Sequence, residues 1–209
     1  MKPLSYLKKL IKNGHYWQYT DVRNKGRKPK LFFLPMQWII ILLSVVMSVC
    51  VLNNGFSDEF VGYTNAVLAI LTGLYLAVVI SIFDKFDREE FTKNGLTERQ
   101  KNNLKLKKNF FIQFTSLTTY SIIIALFCLG LLSLSLLFKS FNTLITIDIL
   151  IKKWQEAYYI CFIKMFAITL YRVILMYFLI NIIYISSYII SSVYSYIVGE
   201  YDSAKIDNN

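Results

Sequence analysis

The sequence is short of the residue types on which most enzymes depend. It has one histidine, His15, and three cysteines, each in a separate apolar stretch without a CxxC pair or a neighbouring histidine. Motifs of hydrolases, zinc proteases and nucleotide-binding loops, such as GxSxG, HExxH and GxGxxG, are missing as well. We therefore predict no catalytic residues, no metal site and no cofactor. The chain is interpreted as a non-enzyme whose cysteines are small, buried packing residues.

Proline and glycine are also scarce, with 3 and 8 residues among 209. Helices broken by these residues and inverted repeats mark many secondary transporters, and the sequence shows neither feature. It has long apolar runs instead, and 56% of its residues are hydrophobic. A spanning helix needs about 20 apolar residues, and four runs are long enough. The sequence therefore predicts an all-α integral membrane protein whose four transmembrane helices lie at about 31–52, 61–83, 110–138 and 173–198.

Positive charge is concentrated in two segments. Residues 1–30 hold nine Lys or Arg and one acidic residue, and residues 84–109 hold eight Lys or Arg and five acidic residues. Because cationic segments stay on the cytoplasmic side, both are predicted to be cytoplasmic, which gives an N-in/C-in topology. The richness in Ile, Lys, Asn and Tyr is typical of AT-rich bacterial genomes. We expect a multi-pass protein of the bacterial inner membrane.

Residues 84–109 are predicted to form a cytoplasmic helical hairpin. Their first part has a helical charge pattern and ends at Asn94-Gly95, and residues 97–100 (Thr-Glu-Arg-Gln) match the capping box that begins a helix. Spans two and three are therefore expected to extend into the cytoplasm and to turn at Gly95. The other predicted parts are a basic segment at 1–30 with an amphipathic helix at the membrane surface, an outer connector at 139–172, and a polar tail at 199–209 after a helix end at Gly199.

Residues 157–198 form one apolar run with no Gly or Pro and two charges, Lys164 and Arg172. A single helix of this length measures about 60 Å, twice the roughly 30 Å of the hydrocarbon core. The charge-free part, 173–198, is the cheaper span, which puts Arg172 near an interface. In the alternative, the span begins near Ala157 and Arg172 lies within the membrane, where it needs a water-filled path or a partner.

Two of the predicted spans carry a polar face. The face of the third span is small and mildly polar, which favours close helix packing and also suits a narrow pore. The face of the last span repeats hydrogen-bonding groups and is predicted to point inward, towards other spans or another subunit. The first set is Thr118, Ser121, Ala125, Cys128, Leu132 and Ser135; the second is Tyr177, Asn181, Tyr184, Tyr188, Ser191 and Ser195, to which Lys164 and Arg172 add charge.

The basic cytoplasmic face is predicted to bind anions. Its residues are Arg23, Lys25, Arg27, Lys28 and Lys30 near the N-terminus, and Lys105, Lys107 and Lys108 in the hairpin. Contact with lipid headgroups is the favoured interpretation, because polybasic segments beside a span commonly anchor it. Aromatic residues at 15–19 precede the first group, so a nucleotide or oligonucleotide ligand is the alternative.

Three functions follow from these patterns. The first is a homo-oligomeric channel or pore, gated by a cytosolic regulatory partner or an anionic ligand, as in a membrane-disrupting effector of bacterial anti-phage defence. That context rests on architecture alone. The second is a non-conducting membrane anchor or assembly subunit of a larger complex, whose polar faces serve packing. The third, an integral-membrane enzyme or transporter of an unfamiliar type, is disfavoured because acid and base groups are missing.

Overall fold

The computed structural model of the chain describes residues 3–20, 22, 33–51, 55–88, 97–137 and 158–206. These residues form five α-helices, and no strand occurs among them. The helices are α1 (Pro3–Trp17), α2 (Pro35–Cys50), α3 (Asp58–Arg88), α4 (Glu98–Leu137) and α5 (Tyr158–Ile206). The predicted all-α fold class is confirmed.

Three of the described helices are long and apolar enough to cross a membrane. They are α3, the part of α4 at Gln100–Leu137 and the part of α5 at Phe162–Val198. Helix α2 is equally apolar but has only 16 residues, which corresponds to about 24 Å of helix. Residues 31, 32 and 52, which complete the predicted first span, lie outside the described residues. The fold is that of a membrane protein with three candidate spans.

Local sequence signals account for the starts of α2 and α3. Pro35 lies in the first turn of α2, where its missing N–H costs no hydrogen bond. The Gln37 side chain is buried and accepts a hydrogen bond from the Leu34 N–H at 3.1 Å. Helix α3 begins after Ser57, whose hydroxyl accepts from the Phe60 N–H at 3.1 Å.

The predicted capping box at the start of α4 is confirmed. The Thr97 N–H donates to Gln100 Oε1 at 3.0 Å, and the Gln100 N–H donates to Thr97 Oγ1 at 3.4 Å. The turn predicted at Gly95 lies in residues 89–96, outside the described part of the chain. The described arms are therefore the end of α3, up to Arg88, and the first turns of α4.

The end of α5 differs from the prediction. A helix end at Gly199 is wrong, because α5 continues to Ile206. One glycine inside a helix costs about 1 kcal/mol relative to alanine, which weakens a helix without ending it. Glu200, Ala204 and Lys205 follow, and all three residue types favour helix. Most of the predicted polar tail is thus helical. The part of the predicted outer connector at 139–157 lies outside the described residues.

The chain divides into two compact units, and α3, α4 and α5 contribute to both. The first unit comprises Met1–Phe32, Gly73–Ile123 and Ile183–Asn209; the second comprises Phe33–Thr72 and Ile124–Ile182. In the first unit the core is aromatic. Phe110 stacks on Tyr196 at 4.3 Å between ring centroids, and the Lys85 ammonium lies 5.1 Å from the Tyr196 ring centroid. The hydroxyls of Tyr75 and Ser186 are hydrogen-bonded to each other.

In the second unit, α4 and α5 pack closely. The Tyr171 hydroxyl donates to the Leu131 carbonyl at 2.7 Å, and Phe127 meets Phe178 edge-on at 5.3 Å between centroids. Leu132 and Leu175 are fully buried beside them. This packing holds the part of α5 that carries Arg172.

Candidate functional site

Arg172 is the largest fully buried side chain among the described residues. Its Nη1 donates a hydrogen bond to the Val51 carbonyl oxygen at 3.3 Å, and its guanidinium carbon lies 5.9 Å from the centroid of the Phe56 ring. Val51 directly follows the last residue of α2, and the carbonyls at this end of a helix carry a partial negative charge. The cation therefore lies at the helix end that attracts it.

The chain after α2 is shaped to complete this arrangement. Gly55 has a φ of 68° and donates its N–H to the Val51 carbonyl at 2.9 Å. This bond satisfies a carbonyl at the end of α2, and glycine adopts the left-handed conformation without a Cβ clash. Phe56 follows and is buried against the guanidinium. The Val51 carbonyl thus accepts from both Gly55 and Arg172.

The position of Arg172 bears on the two placements considered for it. It contacts the end of the apolar helix α2 and the start of the segment that leads into α3, not the middle of α2. The structure shows one part of this region directly, namely the continuity of the helix before Arg172. The helix does continue without a break, because α5 begins fourteen residues earlier, at Tyr158.

The small face of α4 is buried along its whole length. Each of its six predicted residues is at most 1% exposed. They are Thr118 and Ser121 in the first unit, and Ala125, Cys128, Leu132 and Ser135 in the second. This burial is what close helix packing requires, because small side chains let helix backbones approach each other.

The polar face of α5 changes from buried to exposed along the helix. Asn181 is buried, and Tyr177, Tyr184 and Tyr188 are half-buried. Ser191 and Ser195, further along, are exposed. Lys164, near the start of α5, is exposed as well. The structure therefore does not bring Lys164 and Arg172 into one site.

The cysteines differ from one another. Cys128 is buried, as predicted, whereas Cys50 at the end of α2 is exposed, so the expectation of a buried thiol is wrong there. Cys50 lies among exposed apolar residues of α2, and an apolar run does not by itself tell a core face from an outer face. The side chain of Cys161 lies outside the described residues.

Only part of the basic face is described. Lys105 and Lys108 are exposed on α4, and Lys107 is half-buried. The other predicted residues, Arg23, Lys25, Arg27, Lys28 and Lys30, lie in a segment outside the described residues.

Sequence reasoning missed the contacts that attach α1 to α4. Gln113 is buried, and its Nε2 donates to the carbonyls of Trp17 at 3.4 Å and Thr20 at 3.2 Å. Gly14 lies against Tyr120 so closely that a Cβ on Gly14 would be 2.5 Å from the Tyr120 Cβ. One signal was available, since Gln113 is the single side-chain amide in the predicted span 110–138. An amide in such a place needs hydrogen-bond partners.

The described residues contain no group of three or more His, Cys, Asp and Glu side chains that could hold a metal ion. A shallow pocket of the second unit is apolar, and its lining consists of Phe33, Ile41, Val173, Ile174, Tyr177 and Phe178. The hydrogen bond and the ring contact of Arg172 can hold the end of α2 and Phe56 against α5.

No family model matches the chain, and neither a curated protein nor a solved structure matches it.

Proposed function

We propose that the chain is a non-conducting membrane subunit that anchors or assembles a larger complex. The observation that carries this proposal is the burial of several of the groups expected to line a pore. Arg172, Asn181 and the small face of α4 are all packed inside one chain. This favours the packing function of the polar faces over their exposure to a water-filled path.

The electrostatic argument points the same way. A pore between copies of the chain needs polar groups that face outward from each copy. A ring of charged side chains along the pore then sets the ion preference. Arg172 is bonded to the Val51 carbonyl and packed on Phe56 of its own chain. It would have to leave the end of α2 to face an ion. Its role in the proposal is to hold α2 and α5 together.

The proposed setting is the bacterial inner membrane, with four spans and both termini in the cytoplasm. Helix α2 would be the fourth span, and the apolar character of its exposed residues supports this. Trp38, Ile39, Leu42 and Val49 are exposed, and exposed apolar side chains along a helix suit contact with lipid tails. The exposed Lys105 and Lys108 of α4 suit the cytoplasmic side.

A homo-oligomeric pore is the second candidate, and one observation favours it. Ser191 and Ser195 are exposed on a candidate span, and Tyr184 and Tyr188 are half-exposed on the same face. Exposed serine hydroxyls on a span suit polar surroundings better than lipid tails, so another copy of the chain is a suitable cover for Ser191 and Ser195. A cytosolic partner or an anionic ligand at the basic face would gate such a pore, and a role as an anti-phage effector belongs to this candidate.

Membrane potential in bacteria that express the chain separates the two candidates. We expect a potential-sensitive dye to report no depolarisation from well-inserted wild-type protein. A non-conducting subunit also predicts no change for a Ser191→Leu/Ser195→Leu variant. Depolarisation that this variant abolishes would overturn the proposal and establish the pore. Ser133→Leu is the control, because Ser133 is an exposed hydroxyl that belongs to α4 and not to the polar face of α5.

A further inference from the structure

We propose that α1 is a lipid-binding arm, whose N-terminal half inserts into the headgroup layer of an anionic membrane leaflet while its C-terminal half is fixed to α4. The proposal concerns the site of α1 and does not depend on whether the chain conducts. It rests on the apolar face of the helix, on its charge and on its attachment.

One face of α1 is apolar and only partly covered. Leu4, Leu7, Ile11 and Gly14 follow one another at intervals of three or four residues, so they share one face of the helix. At its C-terminal end this face is covered, because Gly14 lies against Tyr120. Further towards the N-terminus it is open: Leu4 is 79% exposed, Leu7 44% and Ile11 41%. The face that packs on α4 thus continues into a surface that nothing in the described chain covers.

Charge identifies the occupant of this open surface. Lys8, Lys9 and Lys12 are exposed on α1, and the helix contains no acidic residue. An apolar face flanked by lysines is the arrangement with which a helix lies in a membrane interface, with side chains of the apolar face among the acyl chains and ammonium groups at the phosphates. The lysines select anionic headgroups, because each cation near such a surface raises membrane affinity by about fivefold.

The attachment of α1 brings it to the membrane. Gln113 of α4 donates to the carbonyls of Trp17 and Thr20, and Asn109 Nδ2 donates to the Val22 carbonyl at 2.9 Å. These donors belong to the part of α4 that is long and apolar enough to cross a bilayer. Helix α1 is held beside a candidate span, and its open face is apolar. The lipid around that span is therefore the nearest apolar surface that this face can contact.

Amide hydrogen exchange of the full-length protein in lipid nanodiscs tests the proposal. We expect residues 4–12 to exchange at least about tenfold more slowly in discs that contain phosphatidylglycerol than in discs of phosphatidylcholine alone. A Lys8→Gln/Lys9→Gln/Lys12→Gln variant should lose this difference. The control is Lys101→Gln/Lys105→Gln/Lys108→Gln, which removes the same charge from exposed positions of α4 and should keep the difference.

Two results would overturn the proposal. Equal exchange of wild-type α1 in the two lipids would show that the leaflet does not hold it. Protection that appears only in discs with more than one chain would show that a second copy covers the face. The wild-type comparison decides the matter even if a variant fails to insert, and unchanged exchange in α4 shows that a variant is folded. Dye depolarisation stays a separate measurement, so failure of one proposal does not imply failure of the other.

Discussion

At the scale of the residue, Arg172 shows how a charge can be accommodated inside an apolar chain. Burying a cation is costly unless hydrogen bonds and favourable dipoles replace its water. Here the Val51 carbonyl at the end of α2 and the face of Phe56 supply part of that replacement. The side chain joins helices that are far apart in the sequence.

Substitution of Arg172 by alanine should therefore destabilise the fold. The variant loses a charge-assisted hydrogen bond and leaves a cavity, so we expect the free energy of unfolding in mixed micelles to fall by about 2–4 kcal/mol. Lys164→Ala is the matched control, because Lys164 is an exposed cation on the same helix, and its change should stay within about 0.5 kcal/mol. Equal effects of the two substitutions would contradict a structural role for Arg172.

At the scale of the element, the attachment of α1 depends on a glycine. At Gly14 an added Cβ would lie less than 3.0 Å from a neighbouring atom, whereas at Gly62, Gly73 and Gly130 it would meet nothing within 4 Å. The neighbouring atoms are the Cβ and Cγ of Tyr120, which cannot move aside without shifting the backbone of α4. Glycine serves here as a point of close approach between two helices, although it lowers the intrinsic helix propensity of α1.

A pair of glycine substitutions tests this contact. Gly14→Ala should destabilise the docked α1 by about 1–3 kcal/mol, seen as faster hydrogen exchange throughout 3–17. At Gly73 of α3 an added Cβ meets nothing within 4 Å, so Gly73→Ala should be neutral or stabilising by up to about 1 kcal/mol. A harmless Gly14→Ala would show that α1 does not depend on this contact. A harmful Gly73→Ala would point to a second copy packed on α3.

Local patterns predicted the elements, whereas the contacts between them were not predictable. The capping box at Thr97 and the proline in the first turn of α2 involve residues within one turn of each other, so the sequence shows them directly. The contacts of Gly14 with Tyr120 and of Arg172 with Val51 join residues more than a hundred positions apart. Hydrophobic periodicity identifies an apolar face but does not identify the helix that covers it.

At the scale of the whole molecule, the number of spans decides which surfaces face which compartment. Three helices meet the requirements of length and composition, and α2 is shorter. The proposed four spans would place the start of α3 outside and the start of α4 inside. Asp58 and Glu59 at the start of α3 and the lysines on the first turns of α4 suit this orientation.

Cysteine labelling in intact cells checks this arrangement. In a variant whose own cysteines are replaced by serine, we expect Asp58→Cys to react with a membrane-impermeant maleimide. Lys101→Cys should react only after the cells are permeabilised. Both positions are exposed in the fold, so a difference in reactivity reports the side of the membrane. Reaction of both residues in intact cells would show that α3 does not cross, and reaction of Lys101→Cys alone would show the opposite orientation.

The bond between Arg172 and the end of α2 has a consequence for biosynthesis. The two residues are 121 positions apart, so a ribosome adding about 5–20 residues per second produces Arg172 some 6–24 s after Val51. During that interval α2 and the start of α3 are already made, but Arg172, whose guanidinium binds the end of α2, is not. A nascent or prematurely terminated chain that lacks α5 would therefore keep the end of α2 without the cation that binds it in the finished chain.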